Sequence, residues 1–293
     1  MSKILPQSLI LLNCLLGNVV FAQSLPATDI WLVKIDAGLH SEPQKVNTTS
    51  GYNNQPHFSD DGSSIYYTRE MVSDEGNSQT DVAVFQISAA TTNMANHTAE
   101  SEYSPTPMPD RNAVSVIQAD LNQKQFLTAI DLASGKTELL LPHVEPVGYH
   151  AWVNDNEVAM FILGDSFTLQ IASLKNDDVD LVAENIGRSI RKHPDTGEIL
   201  FVDKNREPWQ IAAYDHKTKA LRGVVPLFPG NEDFTIDVNG DYWTGNGSKL
   251  YRRSAGEQRW ELVTDFKFYG LNNISRLAIH LATKQIAIVS DHH

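Results

Sequence analysis

One pattern recurs six times along this chain and constrains its fold more than any other feature. A proline-bearing extended run, Asn53-Asn54-Gln55-Pro56-His57-Phe58, breaks at Ser59-Asp60-Asp61-Gly62 and returns through Ile65-Tyr66-Tyr67-Thr68. The same grammar follows at Ser104-Pro105-Thr106-Pro107-Met108-Pro109-Asp110, returning through Val114-Ser115-Val116-Ile117. An extended run, a tight polar turn and a β-branched or aromatic return make a hairpin signature. Weaker copies occupy 149–161, 189–202, 234–243 and 275–289. Aligned on the turn, the equivalent positions are Asp60, Pro109, Asn154, Pro194, Val238 and Leu281, spaced 49, 45, 40, 44 and 43 residues apart. That spacing suits the four-stranded blade of a β-propeller.

Most hairpins are followed by a second strand pair with its own turn, as in Phe126 to Asp131, the turn Ala133-Ser134-Gly135-Lys136, and Thr137 to Leu141. Alternation is close to two throughout and hardly any segment carries a helical period. The expected fold is therefore all-β, a six-bladed propeller of four-stranded antiparallel blades. The sixth hairpin ends at Val289 two strands short, while residues 30–36 and 45–48 read as strands with no blade of their own. Placing them on the last blade closes the ring and removes an exposed edge. A β-sandwich would explain neither the even spacing nor the complementary ends.

Residues 1–22 read as a secretory signal peptide: Lys3, an apolar stretch from Leu9 to Leu16, and Val20-Phe21-Ala22 before a cut after Ala22. The apolar part is too short to cross a bilayer as a helix. The expected organisation is this leader followed by one propeller domain over 23–293, exported to the periplasm or secreted, with no integral membrane segment after cleavage. The only cysteine, Cys14, falls inside the leader, so disulfides and thiolate chemistry drop out of the mature chain. Asn13 before it is a poor fit to a lipoprotein acylation site. Loss of the leader removes Lys3 and no acid, taking the formal charge from -13 to -14. That balance argues against nucleic acid and anionic membrane as partners.

The run Tyr52 to Gly62, and Glu102-Tyr103-Ser104-Pro105 through Pro109-Asp110, resemble the propeller repeats of TolB-like proteins, whose common form is a proline-bearing inner strand ending in Ser-Pro-Asp-Gly. The resemblance spans essentially the mature chain, closest in the first two copies, although Asp60 stands where proline is usual. It implies a propeller that binds peptide or protein partners, here without the separate N-terminal α/β domain of TolB. The repeats also resemble the propeller of prolyl-oligopeptidase-like enzymes, but no Gly-x-Ser-x-Gly elbow is present to carry that chemistry.

Period-two geometry puts Pro56, Phe58, Pro105, Trp152, Ile190, Phe234, Ile236, Leu277 and Ile279 on the packed side of the inner strands. The polar side holds Gln55, His57, Ser104, Thr106, Arg191, His193, Asp233, Thr235, Asp237, Arg276 and His280. The expected ligand-binding set, in the channel and at its mouth, is His57, Glu102, Tyr149, Arg188, Arg191, His193, Asp233, Asp237 and Arg276. Arginines near carboxylates suit an anionic or zwitterionic ligand, and equally suit a wall of ion pairs that binds nothing. His57, His193 and His280 offer an alternative metal site if their rings converge, although their spacing carries no ligand signature. Asp237-Val238-Asn239-Gly240-Asp241 lacks the downstream glutamate of a calcium loop and reads as a turn. No cofactor is expected and no catalytic residue stands out. The function expected is an exported binding or interaction module for a protein, peptide or small anionic ligand. The alternative is a metal-assisted lyase or hydrolase acting on carbohydrate or another anionic substrate.

Overall fold

The computed structural model describes residues 25–36, 39–176 and 178–292; the leader reading and Cys14 lie outside them. Six antiparallel blades follow one another along the chain. Blade 1 is built from Asn53–Phe58, Ser64–Val72, Ser78–Gln86 and Thr91–Met94, numbered from the channel outward. Blade 2 uses Ser101–Pro107, Ala113–Ala119, Gln125–Asp131 and Thr137–Leu139. Blade 3 uses Val147–Trp152, Glu157–Ile162, Thr168–Ser173 and Val179–Glu184. Blade 4 uses Ile186–Lys192, Ile199–Asp203, Gln210–Asp215 and Ala220–Pro226. Blade 5 has a two-residue inner strand, Thr235–Ile236, then Tyr242–Asn246, Lys249–Arg253 and Glu261–Asp265. All six turn positions aligned in the sequence fall between the first and second strands of a blade.

Blade 6 joins both ends of the described chain. Arg276–His280 pairs with Gln285–Asp291, which pairs antiparallel with Thr28–Asp36 from Thr28↔Asp291 to Lys34↔Gln285. The short strands Leu39–His40 and Gln44–Lys45 finish the sheet against Thr28–Asp36. Asp29, 2% exposed, pins the seam by accepting from Asn47 Nδ2 (2.8 Å), Lys45 Nζ (2.9 Å) and His292 Nδ1 (3.0 Å). Trp31 Nε1 adds a bond to Ser290 Oγ at 3.1 Å. Among the described residues no helix is long and apolar enough to cross a membrane.

The core is divided among the gaps between blades. Met160, Leu127 and Trp152 fill the gap between blades 2 and 3; Phe201, Phe161 and Ile190 that between 3 and 4; Phe234, Leu200 and Tyr242 that between 4 and 5. Trp243, Phe266 and Ile288 pack blade 5 on blade 6, and Tyr67, Phe58 and Ile30 pack blade 6 on blade 1. The gap between blades 1 and 2 differs, because its apolar cluster has only Val82, Val114, Val116 and Ile130 as buried members. Beside them lies a polar layer. Asp81 stands directly across from Arg69 in blade 1, and Glu102 across from Gln118 in blade 2.

Glu102, with no exposed surface, accepts from Thr98 Oγ1 (2.6 Å) and Gln118 Nε2 (3.1 Å) through Oε1. Its Oε2 meets no donor among the described residues, and the Glu102 carboxyl lies in contact with that of Asp81. Two carboxyls in contact are satisfied by one shared proton. Burial chiefly, with Asp81 adding to it and the Thr98 and Gln118 bonds opposing, pushes Glu102 up to about 7; burial raises Asp81 as well.

A proton held more tightly by the folded chain than by the unfolded one gives stability that is full below the ordinary value of 4.5 and lost as pH rises through about 7. Thermal unfolding is therefore expected to move to lower temperature between about pH 5 and pH 8, by the equivalent of roughly 3 kcal/mol. Glu102→Gln, which keeps the shape and cannot ionise, should flatten that dependence and be the more stable protein at the alkaline end. An equally steep profile in the variant would show that the pair does not carry the effect.

Candidate functional site

Each blade places one aromatic or charged side chain near the start of its inner strand, at the same end of the channel. They are Tyr52 just before blade 1, Tyr103 in blade 2, Tyr149 in blade 3, Arg188 in blade 4, Asp233 just before the inner strand of blade 5, and Arg276 opening blade 6. The half of the mouth formed by blades 1 to 3 is thus phenolic, and the half formed by blades 4 to 6 is charged. The two halves touch. Arg276 Nη2 donates to Tyr149 Oη at 2.8 Å, and its guanidinium carbon lies 5.1 Å from the Tyr149 ring centroid. Tyr52 lies within electrostatic reach of Arg276, Tyr149, Tyr103 and Arg188, which places the ring around one opening.

Asp233 is the hub of the charged half. It is 4% exposed, and its Oδ2 accepts from both Nε (3.1 Å) and Nη2 of Arg188. Its Oδ1 faces Arg276 Nη1 at 3.9 Å. Burial pushes the Asp233 carboxyl up, but the Arg188 and Arg276 guanidiniums outweigh burial and hold it below its ordinary value. Asn231 Oδ1 fixes the loop by accepting from the Asp233 N–H at 2.9 Å, and Thr244 Oγ1 donates to the Asp233 carbonyl at 2.7 Å. Glu232 is already occupied, accepting from Lys204 Nζ (2.9 Å) and the Arg188 N–H (2.7 Å).

Arg191 stands deeper, three residues along the blade 4 strand. Among the described residues no carboxylate comes within ion-pair distance of it; its Nη1 donates to the Ile190 carbonyl at 2.8 Å. It senses Asp233, Arg276 and His57 electrostatically. His57 keeps exposed surface in the channel, and the protein packed around it lowers the imidazole's affinity for protons, so this histidine is neutral at physiological pH. His150 is likewise pushed down to about 3, by burial and then by His57. Its Nε2 meets Ser115 Oγ at 2.6 Å.

Of the residues expected at the site, Tyr149, Arg188, Asp233 and Arg276 form the mouth, with Arg191 and His57 lining the channel. Glu102 turns away into the gap between blades 1 and 2. Asp237 closes the turn at the opposite end of blade 5, accepting from the N–H groups of Asn239 (2.9 Å) and Asp241 (3.1 Å) and from Trp243 Nε1 (2.8 Å). His193 caps another such turn, its Nδ1 accepting from the N–H groups of Asp195 and Thr196, both at 3.2 Å. His280 sits in a third, with Nδ1 on Thr283 Oγ1 (2.9 Å) and Nε2 on the Asp60 carbonyl (3.1 Å). The three histidines of the metal alternative are therefore held apart, and the described residues contain no cluster of three or more His, Cys, Asp or Glu suited to a metal.

Tyr52 and Tyr103 were missed by strict alternation because the inner strands are bulged. Register shifts occur between Asn54 and His57, Tyr103 and Thr106, Val147 and Tyr149, and Ile186 and Ile190. In the first two blades the bulge is made by Gln55 (φ 56) and Ser104 (φ 55), each before a proline. Proline is tolerated in strands at bulges, and a bulge re-aims the side chains beyond it. Gln55 Oε1 accepts from Thr68 Oγ1 (2.8 Å) and the Ser104 N–H (2.9 Å), tying the two bulges together. The signal was present in the repeat: the mouth positions are spaced 51, 46, 39, 45 and 43 residues apart, close to the spacing of the turns.

No family model matches the sequence, and no curated protein matches it. Solved structures do match the fold. A TolB candidate from Agrobacterium tumefaciens superposes with a TM-score of 0.70 at 12% identity, over 92% of this chain and 99% of that one. The chain has the fold of the TolB propeller. TolB from Acinetobacter baumannii matches with a TM-score of 0.59 at 13% identity, over 90% of this chain and 64% of that protein. An oligogalacturonate lyase from Vibrio parahaemolyticus matches with a TM-score of 0.55 at 12% identity, over 76% of this chain and 68% of the lyase. At these identities the likeness is one of fold, shared by TolB and a lyase, and function rests on the site.

In this propeller Asp233 is the counter-ion that lets Arg188 and Arg276 share one mouth. Asp233→Asn should lower stability by about 2–4 kcal/mol, short of the full cost of breaking a buried pair because the guanidiniums keep contact with water. Urea unfolding at low and moderate salt measures it. The loss should shrink when sulfate replaces chloride at equal ionic strength, beyond the change seen in the unsubstituted protein. An unchanged midpoint would show that the carboxylate is not needed as counter-ion.

Proposed function

We propose that this chain is an exported binding module that takes the anionic group of a peptide, protein or small ligand into the mouth formed by Tyr52, Tyr103, Tyr149, Arg188, Asp233 and Arg276. The observation that carries the reading is the polarity of that mouth. Guanidiniums and phenol hydroxyls are donors, and the one carboxylate among them is already consumed by Arg188. A donor-rich, acceptor-poor opening suits oxyanions and not cations. Aromatic rings beside it supply contact area at small entropic cost. The TolB-like fold supports the interaction role, and the acidic balance of the chain disfavours nucleic acid as the anion.

Peptides ending in a free carboxylate, compared with their amidated forms by fluorescence anisotropy, test the reading. Carboxylate forms should bind more tightly, and Arg276→Gln should weaken them by about tenfold, in line with loss of a charge-assisted bond. Equal binding of both forms, or indifference to the substitution, would reject the mouth as the site. Export is tested separately. The protein recovered from the periplasmic or secreted fraction of producing cells should begin at Gln23, after removal of residues 1–22; a retained Met1 in a cytosolic fraction would refute it.

A further inference from the structure

The charge of the mouth and channel is not balanced, and the imbalance defines what would fit. Arg188, Arg191 and Arg276 bring three guanidiniums, which stay protonated in proteins. Asp233 offsets one of them. Glu232 offsets Lys204 and is unavailable, and His57 and His150 are neutral at physiological pH. Glu70, beside Tyr52, accepts from the Tyr52 N–H (2.9 Å) and the Ser78 hydroxyl (2.6 Å), and Asp60 is on an exposed turn. Among the described residues Asp233 is therefore the one carboxylate within ion-pair range of these three guanidiniums, in a protein whose net charge is -13.

The hydrogen bonds lead to the same result. Arg191 spends one N–H on the Ile190 carbonyl, and its other N–H groups have no partner among the described residues. Tyr149 Oη accepts from Arg276, which leaves its own proton to donate. A monocarboxylate would neutralise one guanidinium and leave the other buried without a counter-ion, which is costly in a partly desolvated site. A head group carrying two negative charges answers both.

We propose that the mouth seats a compact dianionic oxyanion head group between Arg276 and Arg191, with the rest of the ligand lying against Tyr52, Tyr103 and Tyr149. A phosphate monoester and a short dicarboxylate share this chemistry. The inference rests on the mouth being the binding site, and goes further by fixing the charge of what enters it.

Isothermal calorimetry on the purified protein, at constant ionic strength, tests it with sulfate, inorganic phosphate and malonate against acetate and nitrate. Heats of binding separate a seated ion from general salt stabilisation. The dianions should bind at least about tenfold more tightly than acetate, and Arg191→Gln should erase most of that preference. Circular dichroism of the variant verifies that the blades are intact. Phosphate ahead of malonate would support a phosphate monoester as the natural head group, and the reverse order a dicarboxylate. Acetate and sulfate binding equally, both weakened by Arg276→Gln, would overturn the dianion while leaving the mouth as an anion site. Sulfate binding that ignores Arg191→Gln would also overturn it. No binding of any of the five ions would overturn both readings.

Discussion

Everything in this molecule depends on the seam in blade 6. A row of blades is an open structure, and each blade offers a flat apolar face that only a neighbour can cover. The strand Thr28–Asp36 closes the row by pairing with Gln285–Asp291, so the first and last parts of the described chain share one sheet. Once closed, each blade has two neighbours and the inner strands must surround a common axis. Closure brings Tyr149 against Arg276, 127 residues away, and His280 against Asp60, 220 residues away. No segment of the chain shorter than the ring could assemble the mouth. Asp29 carries a large part of that duty through one buried carboxylate with three donors, an economy possible because burial is outweighed by the bonds and its affinity for protons is lowered.

The gaps between blades are not alike. Five are filled by aromatic and branched side chains, and the gap between blades 1 and 2 exchanges much of that filling for Asp81, Glu102, Arg69 and Gln118. Gln55 then spans the same two blades from the channel side. Buried polar groups specify geometry more sharply than apolar ones, because a slipped register leaves them unpaired. They also make the gap sensitive to protonation, which apolar packing is not. The two blades joined this way are those carrying the best-formed copies of the repeat, with matching prolines and matching left-handed residues at Gln55 and Ser104. Local sequence and interface chemistry have been kept in step there.

The sequence was legible in proportion to how local its signals are. Turn chemistry depends on a few adjacent residues, and all six inner hairpins and the seam could be read from it. Inner-strand alternation is also local, but a bulge changes its parity, so Tyr103 faces the mouth where Glu102 was expected. Arg188, Asp233 and Arg276 were reached because charge at the start of an inner strand is conspicuous whichever way it points. The fates of His193, His280 and Asp237 were not legible, since a side chain that caps a turn and one that faces a channel can be separated by a single peptide unit. Only the positions of neighbouring blades decide which donor each finds.

On the proposed reading, the acidic exterior gives the mouth its selectivity. At physiological salt the field of a surface carboxylate fades over roughly 8 Å, so the exterior acids do little to an ion already inside the channel. Guanidiniums surrounded by protein are screened far less than charges on the surface. An extended polyanion would have to lay its charges across the acidic surface as well as into the mouth, and would be repelled over most of its length. A compact anion meets only the arginines. The opposition between a chain with 36 acidic residues against 23 basic ones and a channel with three arginines around one aspartate therefore works as a filter on ligand shape. A ligand of the proposed kind would be admitted where its charge is concentrated, and the tyrosine half of the ring would read what the charge is attached to.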